Sequence, residues 1–233
     1  MKISFVIPTY NEHGNITRLI ERINQITKNY ELENEIIIVD DNSTDGTIED
    51  INDLQKNQSN LNLKIRKKPM GIGSAHRDGY NLAQGDLIIS MDADLSHPPD
   101  KIPHLIKKIK NGYDFVIGSR YMEGSGSNKG VIFRIMSKFG SFYLSLMLRI
   151  EISDFSNGYR AIRKSLWEKI KKYKYSNQNN FLIESIYYAY KHGGRIGEIP
   201  TKFRERELGK SKTNLFREAI KAIFLPLKLR YNF

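Results

Sequence analysis

The first hundred residues alternate two hydrophobic rhythms. Ile3 to Ile7 is a short continuous apolar run closed by Pro8, the pattern of a parallel strand buried on both faces. Ile16, Leu19, Ile20, Ile23 and Ile26 then recur at helical spacing behind Asn15, a residue suited to cap a helix. The same alternation predicts strands over Glu35–Val39, Leu61–Ile65, Asp86–Met91 and Phe115–Gly118, with helices over Thr47–Leu54, Ser74–Ala83 and Lys101–Asn111 between them. Strands separated by helices of this length imply βαβ units, hence an α/β fold whose parallel sheet carries helices on both faces.

Beyond Gly118 the regularity ends. Gly124 to Asn128 reads as a flexible loop, and two amphipathic segments follow. In 131–150, Ile132, Ile135, Met136, Phe139, Phe142, Tyr143, Leu146 and Ile150 share one helical face. That face suits an ordinary core and a lipid-facing surface equally. In 214–230, Phe216, Ala219, Ile220, Ile223, Phe224 and Leu227 form a second apolar face opposite Arg217, Lys221 and Lys228. Its terminal position, basic flank and Pro226 suit a helix lying in a lipid headgroup layer.

Polar clusters fall where the strands end. In open parallel sheets ligands bind beyond the carboxyl ends of strands, and Pro8-Thr9-Tyr10, Asp40-Asp41 and Asp92-Ala93-Asp94 all sit there. Two carboxylates one residue apart repel unless a cation or donor lies between them. Hard oxygen ligands favour Mg²⁺ or Mn²⁺, which bind through a few carboxylates together with substrate phosphates. A carboxylate at Asp40 or Asp41 is placed to accept hydrogen bonds from a base or ribose, whereas Asp45-Gly46 serves the turn into the next helix, with Asp45 or Thr47 as its cap. Gly71-Ile72-Gly73 lacks the third glycine of a dinucleotide fingerprint and follows the third strand, so it reads as a tight start to a helix whose N-terminus faces the crevice.

Composition narrows the chemistry. With 233 residues and 39% hydrophobic content the chain fits one domain. The absence of cysteine excludes disulfides, thiolate metal sites and a cysteine nucleophile. A net charge of +11 suits anionic lipid, phosphorylated substrates or nucleic acid. From Arg195 onward there are ten Lys or Arg against four Glu, a net +6. No run reaches the roughly 20 apolar residues of a membrane span, the nearest lying between Lys138 and Arg149. The chain opens on a strand and not on a signal peptide, so a cytoplasmic protein, soluble or lying on a membrane surface, is expected.

Val6-Ile7-Pro8-Thr9-Tyr10-Asn11-Glu12, Val39 to Thr47 and Met91-Asp92-Ala93-Asp94-Leu95-Ser96-His97-Pro98-Pro99 resemble family 2 glycosyltransferases of the polyprenyl-phosphate (dolichol-phosphate mannose synthase) branch. The likeness continues through Gly118-Ser119-Arg120-Tyr121, Ser153 to Arg160, Gly197 to Pro200 and Arg206 to Lys212. It implies a single GT-A domain over 1–233, with a nucleotide-sugar half (1–120) and an acceptor half (121–233). It also implies that Pro8, Tyr10, Glu12, Val39 and Asp41 hold the nucleoside. Asp92, Ala93 and Asp94 would meet the diphosphate. Asp94 would ligate Mg²⁺ or Mn²⁺ with Asp92 and Ser96, and Arg120, Arg134, Arg206 and Lys212 would hold donor and acceptor phosphates. Asp94, Arg120 and Arg134 are thereby the catalytic candidates. Many members carry Gln where this chain has Ser96, whose shorter hydroxyl would reach the metal through water.

The implied reaction moves mannose from GDP-mannose to dolichyl or another polyprenyl phosphate with inversion. It would occur peripherally on the cytoplasmic face of a membrane, docked by the two amphipathic segments or by a membrane-anchoring partner subunit. UDP-glucose is the competing donor. A protein or polysaccharide hydroxyl is the competing acceptor; it would need a carboxylate base, for which Asp154 and Glu184 are the candidates. A nucleic-acid-binding module is disfavoured, because the strand tips are acidic where phosphates would approach.

Overall fold

The computed structural model describes residues 1–127, 131–203 and 223–230. All five predicted strands form, as β1 (Ile3–Thr9), β2 (Asn34–Asp40), β3 (Leu61–Ile65), β4 (Leu87–Ser90) and β5 (Phe115–Ser119). The intervening helices are α1 (Asn15–Asn29), α2 (Thr47–Gln55), α3 (Ile72–Leu82) and α4 (Ile102–Lys110). Asn15 does not cap α1. It is the first helical residue, and Gly14 precedes it at φ 73°, a left-handed turn that glycine adopts without a Cβ penalty.

The second half is more regular than its sequence suggests. After β6 (Gly126–Ser127) and α5 (Val131–Leu148) come β7 (Arg160–Arg163), α6 (Lys164–Ile170), α7 (Asn180–Lys191), β8 (Ile196–Pro200) and β9 (Lys202–Phe203). Strands β7 and β8 enter the main sheet, whose order is β3-β2-β1-β4-β7-β5-β8, while β6 and β9 form a separate pair. Strand β7 escapes hydrophobic pattern analysis because its first position is an arginine. Arg160 is fully buried and neutralises its own burial by donating to the carbonyls of Asn157, Phe155 and Leu182 and to Ser185 Oγ.

Alternate residues of β1 supply two cores. Ile3, Phe5 and Ile7 face α1 and α4. Val6 faces the opposite layer, where α3, α6 and α7 pack with Leu144 and Leu148 of α5 and with Leu225 and Leu229. Strand β1 runs parallel to both β2 and β4, and β7 lies antiparallel between β4 and β5. The carboxyl ends of β1, β2, β4 and β5 therefore share one edge. The chain turns from β2 to β4 across β1, a topological switch point.

His76 is fully buried on α3, stacked on Phe181 at 5.8 Å, and among the described residues neither ring nitrogen has a hydrogen-bond partner. Burial, with Arg160 and His97 nearby, pushes its pKa down to about 3. The unfolded chain takes up a proton near pH 6.5 that the folded chain refuses, so stability is lost as pH falls from 6.5 toward 3. Replacing His76 with Phe keeps the stack and removes the titration. The variant is expected to exceed the parent by about 2 kcal/mol more at pH 5 than at pH 8. Urea unfolding at the two pH values would refute this if both proteins showed the same pH slope.

Candidate active site at the strand tips

The turns leaving β1 and β2 lock onto each other. Asn11 N–H donates to Ser43 Oγ at 2.8 Å and Glu12 N–H to Thr47 Oγ1 at 2.8 Å. Asp40, fully buried, accepts from Ser43 N–H and Oγ, so it shapes the turn. Asp45 accepts from Thr47 N–H and Oγ1 at the start of α2, the local role its sequence position implies. Pro8, Tyr10 and Glu12 line this edge, with Tyr10 39% exposed. Val39 is fully buried in the core, backbone and side chain alike, between β1 and β3.

Asp41 is held in a small network. Its Oδ1 pairs with the Arg66 guanidinium, and its Oδ2 accepts from Gly71 N–H at 3.4 Å. Arg66 also donates to Ser74 Oγ and to the Gly71 carbonyl at 3.1 Å, tying the end of β3 to the start of α3. Gly71 has φ 96° and Gly73 lies against the Gln178 carbonyl, so both glycines are needed for this close approach. The N-terminus of α3 thus stands beside Asp41, as the Gly-Ile-Gly spacing implies.

Past β4 the chain doubles back. Leu95 adopts φ 61°, and Asp94 Oδ1 accepts from Ser96 N–H at 3.1 Å. The turn buries Asp94 (2% exposed) and Ser96, while the Asp92 side chain stays 30% exposed. Ala93 is buried between them. Among the described residues Ser96 Oγ has no hydrogen-bond partner. His97 closes the turn, its Nδ1 accepting from Asp92 N–H at 2.9 Å.

Arg120 follows β5. Its Nε and Nη2 donate to the two Asp154 oxygens at 2.7 and 2.9 Å, and Nη2 also reaches Ser156 Oγ at 2.7 Å. Burial works against its charge, yet Asp154 outweighs it and holds the guanidinium above its usual pKa. Asp154 is fully buried and occupied by this fork and by Ser156 N–H. Glu184, the other candidate base, accepts from Ser176 N–H at 2.6 Å, and burial raises its pKa. Asp154 is thus a partner of Arg120 and not a base open to an acceptor.

Arg120, Tyr121, Met122, Ser125, Arg134, Ile135 and Lys138 line a cleft of about 290 Å³ between the end of β5 and the start of α5. From Ile135 onward α5 presents Met136, Phe139, Phe142 and Leu146 to solvent, Phe139 being 71% exposed. Helical residues 223–230 lie alongside: Tyr143 Oη donates to the Ile223 carbonyl at 2.8 Å and Arg230 to the Met147 carbonyl at 3.1 Å. Ile223, Phe224 and Leu227 extend the exposed apolar face. Of the predicted stripe, Ile135, Met136, Phe139, Phe142 and Leu146 face outward, Tyr143 is half-buried against the core, and Ile150, past the helix end, is buried. Among the described residues no helix is long and apolar enough to cross a membrane.

Arg206, Lys212 and residues 214–222 of the second amphipathic segment lie outside the described residues. Sequence reasoning missed Arg66, Lys138 and the Asp154 partnership. Arg66 was within reach, because it directly follows a strand like the other polar tips. Lys138 stands one helical turn from Arg134.

Comparison with known proteins agrees with this geometry. The profile of glycosyl transferase family 2 matches residues 4–171. A dolichol-phosphate mannosyltransferase of Pyrococcus furiosus is 35% identical over 91% of this chain, which spans 59% of that protein's length. A polyprenol monophosphomannose synthase of Mycolicibacterium smegmatis is 33% identical over 89% of this chain and 79% of its own. The crystal structure of glucosyl-3-phosphoglycerate synthase from Mycobacterium tuberculosis with Mn²⁺, UDP and phosphoglyceric acid superposes with a TM-score of 0.73. It covers 98% of this chain and 78% of that one at 18% identity, a likeness of fold. The sheet order, the acidic turn after β4 and the matched profile together make this GT-A chain a member of glycosyl transferase family 2.

Proposed function

We propose that the chain transfers mannose from GDP-mannose to the phosphate of dolichyl or another polyprenyl phosphate, working peripherally on a membrane surface. One observation carries this reading. The cleft lined by Arg120, Arg134 and Lys138 opens at Ile135, where the exposed apolar face of α5 begins. Cationic groups bordering an exposed apolar patch match an ionised phosphate on a hydrocarbon chain. The polyprenyl-phosphate mannosyl relatives point the same way.

In this reading 1–120 binds the nucleotide-sugar and 121–233 the acceptor. Tyr10, Pro8 and Glu12 border the nucleoside, with Val39 buried behind them in the sheet. Asp41, its Oδ1 already taken by Arg66, presents Oδ2 to base or ribose N–H and O–H donors. Asp92, Ala93 and Asp94 face the diphosphate. The residues present fit a hard divalent cation: two carboxylates and the buried Ser96 hydroxyl, unpartnered among the described residues, offer oxygen ligands only. Asp92, Asp94 and Ser96 would hold Mg²⁺ or Mn²⁺, which supplies charge neutralisation at the leaving diphosphate.

Arg120, fixed by Asp154, and Arg134 align the acceptor phosphate, with Arg206 and Lys212 completing the phosphate contacts. An acceptor phosphate oxygen bonds to the anomeric carbon as the carbon–oxygen bond to GDP breaks, inverting that centre. The acceptor is mostly dianionic at neutral pH, so no protein base is required. Accordingly Asp154 is spent on Arg120 and unavailable for a hydroxyl acceptor. Incubation of the protein and Mn²⁺ with GDP-mannose or UDP-glucose, against polyprenyl phosphate or the matching alcohol, tests the reading. Product is expected from GDP-mannose with the phosphate, and transfer to the alcohol alone would overturn it.

The apolar face has its own test. Phe139 and Phe142 lie 6.4 Å apart, ring to ring, and are both exposed. Inserting each ring into lipid is worth roughly 1.5–3 kcal/mol. Phe139→Glu combined with Phe142→Glu is expected to lower partitioning into vesicles by about 10²-fold or more. Turnover of a short, water-soluble polyprenyl phosphate should stay within about twofold. Unchanged vesicle sedimentation would remove the face from the docking surface.

A further inference from the structure

The acidic turn after β4 rests on a residue that the proposed chemistry does not use. Ser90 is the last residue of β4, and Met91 N–H still finds the Val6 carbonyl at 3.3 Å. Asp92 N–H has passed the end of that ladder. Its acceptor is His97 Nδ1 at 2.9 Å, five residues on. A buried backbone N–H left unpaired costs about 1–3 kcal/mol, so the acceptor decides whether the turn keeps its shape. Since Nδ1 accepts, the neutral ring carries its proton on Nε2.

The ring is held by two aromatic neighbours. Tyr159 stacks on it at 5.3 Å with a 14° tilt, and Tyr159 Oη donates to the Pro98 carbonyl at 3.1 Å. Phe203 meets it edge-on at 5.6 Å, and the Arg120 guanidinium lies 5.9 Å from the Phe203 ring. A Cβ at Gly158 would stand 3.2 Å from Asp92 Oδ1 and 3.6 Å from His97 Cε1, so the loop before β7 closes tightly over the pair. His97 is 1% exposed.

We infer that His97 is a positioning residue for the donor site: by taking the Asp92 amide proton it fixes the direction in which the Asp92 carboxylate faces the diphosphate. Through Phe203 the same ring braces the wall beside Arg120. This rests on the proposed nucleotide-sugar site, and it assigns to His97 an orienting role and no contact with substrate. The chemistry demands an acceptor lone pair at the δ position. Asn carries an oxygen acceptor the same number of bonds from its Cα, whereas Phe keeps the ring and offers no acceptor.

The test compares His97→Phe and His97→Asn with the parent. In metal-free protein the Asp92 amide is expected to exchange with solvent at least about 10-fold faster in His97→Phe, with His97→Asn near the parent. The Mn²⁺ concentration that half-saturates the protein in the presence of GDP, read by electron paramagnetic resonance, should rise about 10- to 100-fold in His97→Phe. His97→Asn should stay within about threefold. Circular dichroism checks that each variant is folded. A folded His97→Phe with parental exchange and half-saturation would overturn the inference, as would a His97→Asn impaired as much as His97→Phe. A parent protein that binds no Mn²⁺ with GDP would instead overturn the reading of the site itself.

Discussion

Replacing Asp94 with Ala is expected to reduce transfer by at least about 10³-fold while the protein stays folded. Charge stabilisation at a developing leaving group is typically worth 10²–10³ for a single donor, and a carboxylate that holds the cation carries more than one such contact. The structural cost is small by comparison. Asp94 accepts from Ser96 N–H at 3.1 Å inside its own turn, and one such bond is worth about 1 kcal/mol. The turn is also held by His97, which accepts from Asp92 N–H. Steady-state assays with Mn²⁺ and a melting curve check both halves of the expectation. Near-parental turnover in the variant would remove Asp94 from the mechanism.

The second large effect concerns Arg120 and Asp154. Asp154→Ala leaves a buried guanidinium without its partner and should cost about 3–5 kcal/mol. Adding Arg120→Met to that variant removes the stranded charge, and the double variant is expected to be more stable than the single one by about 1–3 kcal/mol. Recovery is incomplete, because the amides of Arg120 and Ser156 also donate to Asp154. Transfer is lost in both: the single variant no longer holds Arg120 in place, and the double variant has no cation there. Urea unfolding of the four proteins in the cycle measures the coupling. A double variant no more stable than Asp154→Ala would show that the pair is not the unit described here.

Most of the first half was legible residue by residue. β1, β2, β4 and β5 reveal themselves as apolar runs because they are buried on both faces, whereas β3, at the sheet edge, shows as Leu61, Leu63 and Ile65 alternating with polar residues. The acidic turn after β4 was visible for the related reason that chemistry sits where such a run stops. Strand β7 was not, because Arg160 satisfies its charge on carbonyls contributed by residues 155, 157 and 182. No pattern of hydrophobicity reports a partner that distant.

The face of α5 shows the same division. Eight apolar residues at helical spacing establish an amphipathic stripe, and core and lipid satisfy that stripe equally. Only packing distinguishes them: Leu144 and Leu148 go inward, and Met136, Phe139, Phe142 and Leu146 are left uncovered. The role of Asp154 turned in the same way, from candidate base to the anchor of Arg120, once its distance to that guanidinium was known.

By its order of residues alone, this protein determined its first five strands, its acidic tips and its family likeness, because those depend on neighbours within a few positions. The tertiary structure decided which carboxylate is buried against which cation, which apolar face is exposed, and which nitrogen holds the Asp92 amide. Charges and amides find partners across tens of residues, and their energies depend on distance and burial, quantities that exist only once the chain has folded.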